Sequence, residues 1–211
     1  MNKLNGVFVN YEFKPEWLND YDWEYLTVYD RSESMVDLDI IPSMAKVVKT
    51  SNKGNVDYDK LGFLVEHYDN LPDVFIWGKS NLFKYITKEE FDKVKDNKTF
   101  TPLLTQNHRI YHDAVGAVNF YRDGMYYERN TSWYLSQHQA KFGSWREWAD
   151  HFGMQAPDYI PFAPGGNYIL TRETVHKYSR DFYKEMRDTM PYTMLPGEAQ
   201  LAERSYYLIW R

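Results

Sequence analysis

Cysteine is absent from the 211 residues of this sequence. The absence excludes disulfide bridges, thiolate metal sites and a cysteine nucleophile. The first residues also lack the apolar run of a signal peptide, and no apolar stretch approaches the roughly 20 residues that a membrane-spanning helix needs. We therefore expect a protein without a membrane segment that works in the cytoplasm.

Positive charge is in short supply, with 25 Lys and Arg residues against 30 Asp and Glu residues and a net charge of −5. A chain with this balance lacks the basic surface with which proteins bind nucleic acid, so we expect no nucleic-acid partner. Two catalytic patterns are missing as well. The six His residues show no H-E-x-x-H spacing, which argues against a zinc site, and the lack of a G-x-S-x-G elbow argues against a serine hydrolase.

Aromatic residues, by contrast, are abundant: they make up 18% of the chain, with 19 Tyr and 7 Trp. Proteins that bind sugars or bases use such rings for stacking, because a ring face covers an apolar sugar face while the polar edges can still form hydrogen bonds. A core and a surface that are simply rich in Tyr explain the same composition. Composition alone leaves both interpretations open.

The pattern of apolar residues predicts an α/β protein. Short apolar and β-branched runs bounded by Gly, Pro and polar residues predict strands at 6–11, 25–29, 74–77 and 167–170. Apolar spacing and capping residues predict helices at 14–18 and 58–68, from Thr87, from Ser144, from Thr171 towards Met190, and at 198–210.

Strands and helices alternate in the first half of the chain, whereas the second half reads as irregular and helical. This order predicts an open, mostly parallel (mixed) central sheet flanked by helices, in a single domain over residues 1–211. The chain ends abruptly on the apolar residues Ile209 and Trp210 before Arg211, which suggests a domain cut from a longer protein.

The residues that follow the predicted strands are the first candidates for a ligand site. Loops and helix N-termini converge at the carboxyl ends of the strands in open α/β sheets, and ligands bind there. These candidates are Asn10, Tyr11, Asp30, Arg31, Gly78, Lys79 and Ser80.

Charged side chains in this set suggest particular ligand groups. Asp30 can accept a hydrogen bond from a uracil imide or a ribose hydroxyl, and Arg31 can bind a diphosphate with two parallel hydrogen bonds. A solvated turn is the alternative for this pair. Gly78, Lys79 and Ser80 lack the first Gly of the pattern G-x-x-x-x-G-K-[ST], which argues against a P-loop. A lone Lys at the end of a strand can still balance phosphate charge.

Three pairs of acids have the spacing D-x-D, namely Asp20 and Asp22, Asp37 and Asp39, and Asp57 and Asp59. In an extended segment this spacing puts both carboxylates on one face, where they can share a hard cation. The same spacing is common in the loops of any acidic protein, so each pair is also compatible with a solvated loop.

The C-terminal part of the sequence contains two further candidates. Gly165 and Gly166 stand directly before a predicted strand, which permits close approach of a ligand or of another backbone. Glu198 lies in the first turn of the last predicted helix. An acid is favoured there by the helix dipole, and the same carboxylate can act as a general base that takes a proton from an attacking hydroxyl.

Three passages, in this order along the chain, resemble nucleotide-sugar-dependent glycosyltransferases with the Rossmann-like A-type fold. They are the strand ends at Asn10-Tyr11 and Asp30-Arg31, the passage YDNLPDVFIW, and the late passage PGGNYIL…PGEAQLAER. The last two are also similar to a bacterial and fungal group of glycosyltransferase-like domains. Length and overall sequence resemble viral domains implicated in glycosylation of a capsid protein, which would act in the host cytoplasm.

The resemblance implies a UDP-sugar donor and a glycan or glycoprotein acceptor. Asn10, Tyr11 and Asp30 would hold the uridine. Arg31 and Lys79 would stabilise the leaving diphosphate, with Gly78 and Ser80 beside them. Gly165 and Gly166 would border the acceptor, and Glu198 would be the base, although the second acid of the usual pair is Ala199 here.

One departure concerns the metal. The family usually has D-x-D after the strand that corresponds to 74–77, where two carboxylates bridge Mn²⁺ to the diphosphate. This sequence has Gly78, Lys79 and Ser80 at that place. Either Lys79 partly replaces the cation, or Mn²⁺ or Mg²⁺ is held by other acids and by the diphosphate.

Two other functions compete with glycosyl transfer. A non-catalytic carbohydrate-binding module would use the same aromatic residues, but such modules are usually all-β, and the helical patterns argue against one. A nucleotide-sugar hydrolase on the same fold remains open, because a fold does not fix a function.

Overall fold

The computed structural model describes residues 3–34, 38–105 and 119–211, which form nine strands and six α-helices. The strands are β1 (Leu4–Asn10), β2 (Trp23–Asp30), β3 (Lys46–Lys49), β4 (Val74–Lys79), β5 (Thr101–Pro102), β6 (Asn119–Arg122), β7 (Met125–Arg129), β8 (Tyr159–Phe162) and β9 (Tyr168–Thr171). The α-helices are α1 (Asn55–Glu66), α2 (Lys88–Val94), α3 (Trp145–His151), α4 (Arg172–Val175), α5 (Arg180–Asp188) and α6 (Gly197–Trp210).

The main sheet has six strands in the order β3-β2-β1-β4-β9-β5. β1 pairs in parallel with β2 and β4, and β2 pairs in parallel with β3, whereas β9 runs antiparallel to β4 and β5. The predicted α/β architecture, with a mixed sheet flanked by helices, is confirmed.

Continuous apolar runs form the central strands because both faces of the sheet are covered. In β4, Phe75 and Trp77 belong to one buried cluster and Ile76 to the cluster on the opposite face. β1 alternates in the same way, with Val7 and Phe8 on opposite faces. The run at 74–77 therefore indicated a strand covered on both sides.

The larger of the two cores lies between the sheet and helices α1 and α6. Trp77 is its centre: its ring meets the ring of Trp210 edge-on at 5.0 Å, and its indole N–H donates to the carbonyl of Lys60 over 3.0 Å. The smaller core, on the other face, joins Phe8 and Phe91 with Trp17 at its border. Because both faces of the sheet are covered, the backbone that a ligand can reach lies at the ends of the strands.

Three helix starts were predicted from their capping residues, and all three are confirmed. Thr87 and Glu90 form a capping box at α2, and the hydroxyls of Ser144 and Thr171 accept backbone N–H groups at α3 and α4. The prediction of one helix from Thr171 towards Met190 is wrong. α4 ends at Val175, and α5 starts separately because Ser179 caps a new first turn.

A second sheet, with the order β6-β7-β8, was not predicted, because the second half of the chain read as irregular and helical. Its hairpin turns at Asp123 and Gly124, whose φ angles are 50° and 77°. Positive φ at both central residues is typical of the two-residue turns that suit the twist of β-hairpins, and Asp-Gly is a preferred pair there. The sequence therefore contained a hairpin signal, the pair Asp123-Gly124 between two aromatic runs.

The order of the main sheet determines where its parallel strands end together. The chain moves from β1 outwards to β2 and β3, then returns to place β4 on the other side of β1. The strand order therefore reverses between β1 and β4. Residues at the carboxyl ends of β1, β2, β3 and β4 line one edge of the sheet, which we call the carboxyl edge. Among the described residues, no helix combines the length and apolar character needed to cross a membrane.

Candidate functional site

A buried polar network lies at the carboxyl edge where the strand order reverses. The Nδ2 of Asn10 donates to Oδ1 of Asp30 over 3.1 Å, and the hydroxyl of Ser32 donates to the same oxygen over 2.8 Å. The hydroxyl of Ser80 donates to Oδ1 of Asn10. Asn10 and Asp30 have no solvent exposure. The network thus joins the ends of β1, β2 and β4 through side chains.

The backbone holds these side chains in register. The Arg31 N–H donates to the Asn10 carbonyl over 2.9 Å, and the Ser80 N–H donates to the Val9 carbonyl over 3.0 Å, so the ladders of the parallel strands continue past the strand ends. Parallel pairing aligns the carboxyl ends of neighbouring strands. Of the sequence candidates, Asn10, Asp30 and Ser80 are brought together in this way.

Two groups at the rim of the network reach solvent. Lys49, at the end of β3, has its ammonium 3.4 Å from Oδ2 of Asp30, and its side chain is 40% exposed. A buried carboxylate requires such a counter-charge. Tyr11 follows Asn10 directly and is 47% exposed, so its ring is available for stacking beside the network.

Arg31, by contrast, turns away from solvent. Its guanidinium forms a buried ion pair with Asp59 of α1 and donates to the carbonyl of Lys53 over 2.7 Å. Burial raises the pKa of Asp59, and Arg31 opposes that rise. An approach of Arg31 to a diphosphate requires this buried pair to break. The contact stays a prediction, and the geometry favours a structural role that joins β2 to α1.

The acid pair Asp57 and Asp59 does not have the geometry that its D-x-D spacing suggested. Asp57 and Asp59 lie in the first turns of α1, not in an extended segment, and each has its own cation: Lys60 at 3.5 Å for Asp57, and Arg31 for Asp59. The extended segment on which the shared cation depended is therefore not formed at this pair. Asp20 forms an exposed ion pair with Lys88 at 2.6 Å.

Asp37 of the remaining pair lies outside the described residues. Within 3–34, 38–105 and 119–211, no three or more His, Asp or Glu side chains are grouped so that they could hold a metal ion. Directly after residues 74–77, where the resemblance would place carboxylates, β4 continues to the ammonium-bearing Lys79.

A buried charge cluster, missed by the sequence analysis, adjoins the end of β4. It consists of Asp57 and Lys60 of α1, Lys79 of β4 and Glu203 of α6. The Lys79 ammonium is 3.3 Å from Oε2 of Glu203, and their side chains are 17% and 11% exposed. Asp57 and Lys60 are almost fully buried. The sequence did contain one indication of the cluster, because charged residues occur on the apolar faces of α1 and α6.

The electrostatics of the cluster follow from burial and from the alternation of charge. Burial lowers the pKa of Lys60 to about 8, although Asp57 opposes that change. Burial alone would raise the pKa of Glu203, but Lys79, Arg204, Lys60 and the Gly165 N–H together outweigh it, so the net pKa is lowered. For Lys79, burial lowers the pKa, but Glu203, Tyr85 and Asp57 together raise it by more, so the net pKa is raised. Lys79 and Glu203 therefore stay charged at neutral pH.

The predicted Gly-Gly turn closes over this cluster. Gly165 and Gly166 have φ angles of 85° and 64°, which L side chains rarely adopt. The Gly165 N–H donates to Oε1 of Glu203 over 3.1 Å, and Lys60 donates to the Gly166 carbonyl over 2.5 Å. A Cβ atom on Gly165 would lie 2.7 Å from the ring of Tyr85. The side chains of Glu203, Lys60 and Tyr85 therefore occupy the space beside these glycines that a ligand was expected to use.

Gly78 has a comparable role. Oδ1 of Asn167 accepts the Lys79 N–H over 2.8 Å, and a Cβ atom on Gly78 would lie 2.6 Å from that oxygen. Asn167 is fully buried, and its Nδ2 has no hydrogen-bond partner. Asn167 thus fixes the backbone at the end of β4, and the charged side chain of Lys79 extends from this fixed position.

Glu198 lies elsewhere. Its carboxylate is fully buried, accepts the Lys141 N–H over 2.5 Å through Oε1 and accepts the Tyr192 hydroxyl over 2.5 Å through Oε2. Burial and this carboxylate raise the pKa of Tyr192. Both oxygens have internal partners, so the geometry favours a role in fixing the start of α6. Its role as a general base stays a prediction.

A separate groove of about 710 Å³ lies at the opposite, amino-terminal edge of the sheet, between the starts of β1, β2 and β4. Its walls include Glu24, His67 and Arg172. Arg172 is held by the Leu71 carbonyl and by Asp73. Strand amino ends gather no loops of the kind that converge at the carboxyl edge, so we assign the site to the carboxyl edge.

Comparison with known proteins gives one result. No curated protein and no solved structure matches the chain. A family model matches residues 11–211; its description is DUF3431, a protein of unknown function. Because that match spans nearly the whole chain, the protein belongs to the DUF3431 family.

Proposed function

We propose that this protein is a glycosyltransferase that takes its sugar from a UDP-sugar donor bound at the carboxyl edge. The single observation that carries the proposal is the buried network of Asn10, Asp30, Ser32 and Ser80 at the point where the strand order reverses. Open α/β sheets bind nucleotides in the crevice at this reversal, because the loops on either side separate there.

Sheet topology supports the finer assignment to the Rossmann-like A-type glycosyltransferase fold. The parallel order β3-β2-β1-β4 matches four of the six strands of the nucleotide-binding arrangement, including the reversal between β1 and β4. Antiparallel β9 and the second sheet replace the other half. The chain thereby gains a region beside the donor crevice in which an acceptor can bind.

The donor uridine fits the polar network and its rim. Asn10 and Ser32 hold Oδ1 of Asp30, and its Oδ2 can bind a ribose hydroxyl or the imide N–H of uracil once the partly exposed Lys49 side chain, 3.4 Å away, moves aside. Tyr11, which is 47% exposed, supplies a ring face for the base. Stacking of a base on an aromatic ring contributes about 1–3 kcal/mol.

Lys79 is the cation that we assign to the diphosphate. It ends β4 directly beside Ser80, its side chain is 17% exposed, and its ammonium is held by Glu203. The residues after β4 do not fit a divalent cation, because no carboxylate stands there. We therefore derive no step through Mn²⁺ or Mg²⁺.

The reaction is a displacement at the anomeric carbon of the sugar. The acceptor oxygen forms the new bond as the bond to the diphosphate breaks, and the electron pair leaves with the diphosphate. Lys79 stabilises the charge that develops there, and preorganised charges of this kind act most strongly on the transition state. The proton of the acceptor hydroxyl passes to a base. The sequence predicts Glu198 for this role, although the Lys141 N–H and the Tyr192 hydroxyl already donate to its buried carboxylate.

Nucleotide binding tests the donor half of the proposal. A ligand at a hundred times its Kd stabilises the folded state by about 2.7 kcal/mol. For a chain of this size that corresponds to a rise of about 5–10 °C in the unfolding midpoint. We expect UDP and UDP-sugars to produce this rise and GDP to produce less. No rise with any UDP compound would overturn the proposal.

Two variants localise the binding. Asp30→Asn is expected to remove most of the rise with UDP, whereas the exposed control Asp20→Asn is expected to keep it. UDP is expected to bind more tightly than UMP to the wild-type protein, and Lys79→Gln is expected to reduce that difference. Transfer itself is measured as UDP release from UDP-sugars. Release that depends on a sugar acceptor indicates a transferase, and equal release without an acceptor indicates a hydrolase.

A further inference from the structure

Three aromatic rings contact one another on the outer face of the β6-β7-β8 sheet. The rings of Phe120 and Tyr127, which pair across β6 and β7, are stacked with centroids 5.2 Å apart and planes at 9°. The ring of Tyr159 on β8 meets Phe120 at 5.3 Å. Phe120 and Tyr159 are 39% and 41% exposed. We call these three residues the aromatic platform.

The inner face of the same sheet is anchored to the rest of the protein. Glu128, next to Tyr127 along β7, points inwards and forms a buried, two-pronged ion pair with Arg204 of α6 at 2.7 and 3.2 Å. The Arg204 guanidinium also lies 3.7 Å from the centroid of the Tyr134 ring. Because side chains alternate along a strand, fixing Glu128 inwards holds Tyr127 outwards. The platform therefore rests on a rigid support.

The exposed area of the aromatic platform limits the kind of ligand that can bind there. An aromatic side chain buries 150–250 Å² when fully covered, so three partly exposed rings offer on the order of 200 Å². A stable protein interface needs about 800 Å² on each partner. Apolar small molecules bind in concave pockets, whereas this platform is the open face of a sheet. A pyranose ring fits, because its apolar face can stack on an aromatic ring while its hydroxyls stay in solvent.

The polar surroundings agree with this choice. Arg129 is exposed and is the cross-strand partner of Tyr159 between β7 and β8. Its side chain therefore leaves the same face of the sheet as the rings, where it can donate to sugar hydroxyls. We propose that the aromatic platform, with Arg129, binds a neutral glycan chain through stacking on Phe120 and Tyr159.

The platform is also connected to the proposed transfer site. β8 leads from Tyr159 through Phe162 into the turn at Gly165, six residues further on, so the two places are at most about 20 Å apart along the chain. A chain of several sugars spans that distance. The identification of this glycan as the acceptor rests on the proposed function; the binding itself does not.

Binding is tested with immobilised hexasaccharides of glucose, mannose, galactose and xylose and with a single-stranded oligonucleotide. We expect the wild-type protein to bind at least one hexasaccharide more tightly than its disaccharide. Phe120→Ala with Tyr159→Ala is expected to weaken that binding about tenfold or more, and Phe120→Tyr to leave it within about twofold. Met44→Ala, which removes another exposed apolar side chain, is the matched control.

Several results would overturn the inference: no hexasaccharide binds, the double variant binds as well as wild type, Met44→Ala weakens binding equally, or the oligonucleotide binds in place of the glycans. The response to UDP is measured on the same variants. Glycan binding without any response to UDP would count against the proposed function alone, and a response to UDP without glycan binding would count against the platform alone.

Discussion

Glu203 and Lys79 face each other across the gap between α6 and the end of β4, with the carboxylate Oε2 3.3 Å from the ammonium. The two residues are 124 positions apart in the sequence. Their pairing joins the last helix to the strand that carries the proposed phosphate cation. Because both side chains are largely buried, the pair should matter for stability as well as for binding.

The Glu203–Lys79 pair gives the protein a defined pH dependence. The lowered pKa of Glu203 means that its ionised form is favoured in the folded state. Its contribution is therefore fully present above the ordinary value of 4.5 and is lost as the pH falls from there through the lowered, folded-state pKa. Glu203→Gln should destabilise the protein by about 3 kcal/mol at pH 7, the low end of the range for a buried pair because the side chains are 11–17% exposed, since it leaves Lys79 without its partner. The difference from wild type should shrink below about pH 4.5.

Denaturant unfolding of wild type and variant between pH 3 and pH 8 measures this difference. Glu89→Gln removes an acid whose side chain is 81% exposed and should leave the unfolding midpoint unchanged throughout. A Glu203→Gln penalty that stays constant from pH 7 to pH 3 would show that the carboxylate charge is not what stabilises the pair.

Tyr11 provides a test of base stacking that is separate from folding. Because the side chain is 47% exposed, Tyr11→Ala should leave the unfolding midpoint nearly unchanged. Loss of a stacked base should weaken UDP binding about fivefold to a hundredfold. Tyr11→Phe keeps the ring and should bind UDP nearly as well as wild type. Calorimetric titration measures all three proteins, and equal affinity of Tyr11→Ala and wild type would remove Tyr11 from the donor site.

Sequence patterns located the carboxyl edge because the relevant information is local. The apolar runs of β1 and β4 mark those strands, and parallel pairing then brings Asn10 and Ser80 together whatever the distant parts of the chain do. The same reasoning found Asp30. It could not show that Arg31 turns towards Asp59, since that choice depends on where α1 packs.

The buried charge cluster was beyond local patterns for the same reason. Whether Glu203 faces solvent or Lys79 depends on the packing of α6 against β4, which no spacing within α6 specifies. The second sheet is a different case. Asp123 and Gly124 were a usable hairpin signal between aromatic runs, so β6 and β7 could have been predicted from residues already in view.

Substitution of Glu198 distinguishes a catalytic role of this side chain from a structural role at the start of the last helix. If it is the general base, Glu198→Gln should keep UDP binding and lower the transfer rate by about a hundredfold or more. We expect the other outcome, because its carboxylate is buried and accepts from Lys141 and Tyr192. The variant should then have a lower unfolding midpoint and a transfer rate within about tenfold of wild type. Tyr192→Phe, which removes only the hydroxyl, should reproduce part of the stability loss.

Gly165 allows backbone strain and side-chain collision to be distinguished. Its φ of 85° disfavours any L side chain, and a Cβ atom there would also lie 2.7 Å from the Tyr85 ring and 2.8 Å from Nδ2 of Asn167. Gly153 is the matched control, since its φ is 64° but nothing lies within 4 Å of an added Cβ. Gly153→Ala should therefore cost only the conformational strain, about 1–2 kcal/mol.

Gly165→Ala should cost that strain and, in addition, displace the turn from the Glu203 carboxylate that its N–H contacts at 3.1 Å. We expect a loss of about 3 kcal/mol or more, since displaced buried hydrogen bonds add about 1–3 kcal/mol. UDP binding should weaken in Gly165→Ala and not in Gly153→Ala, because only the former turn holds the partner of Lys79. Equal unfolding midpoints for the two variants would show that the turn tolerates a side chain and does not fix the charge cluster.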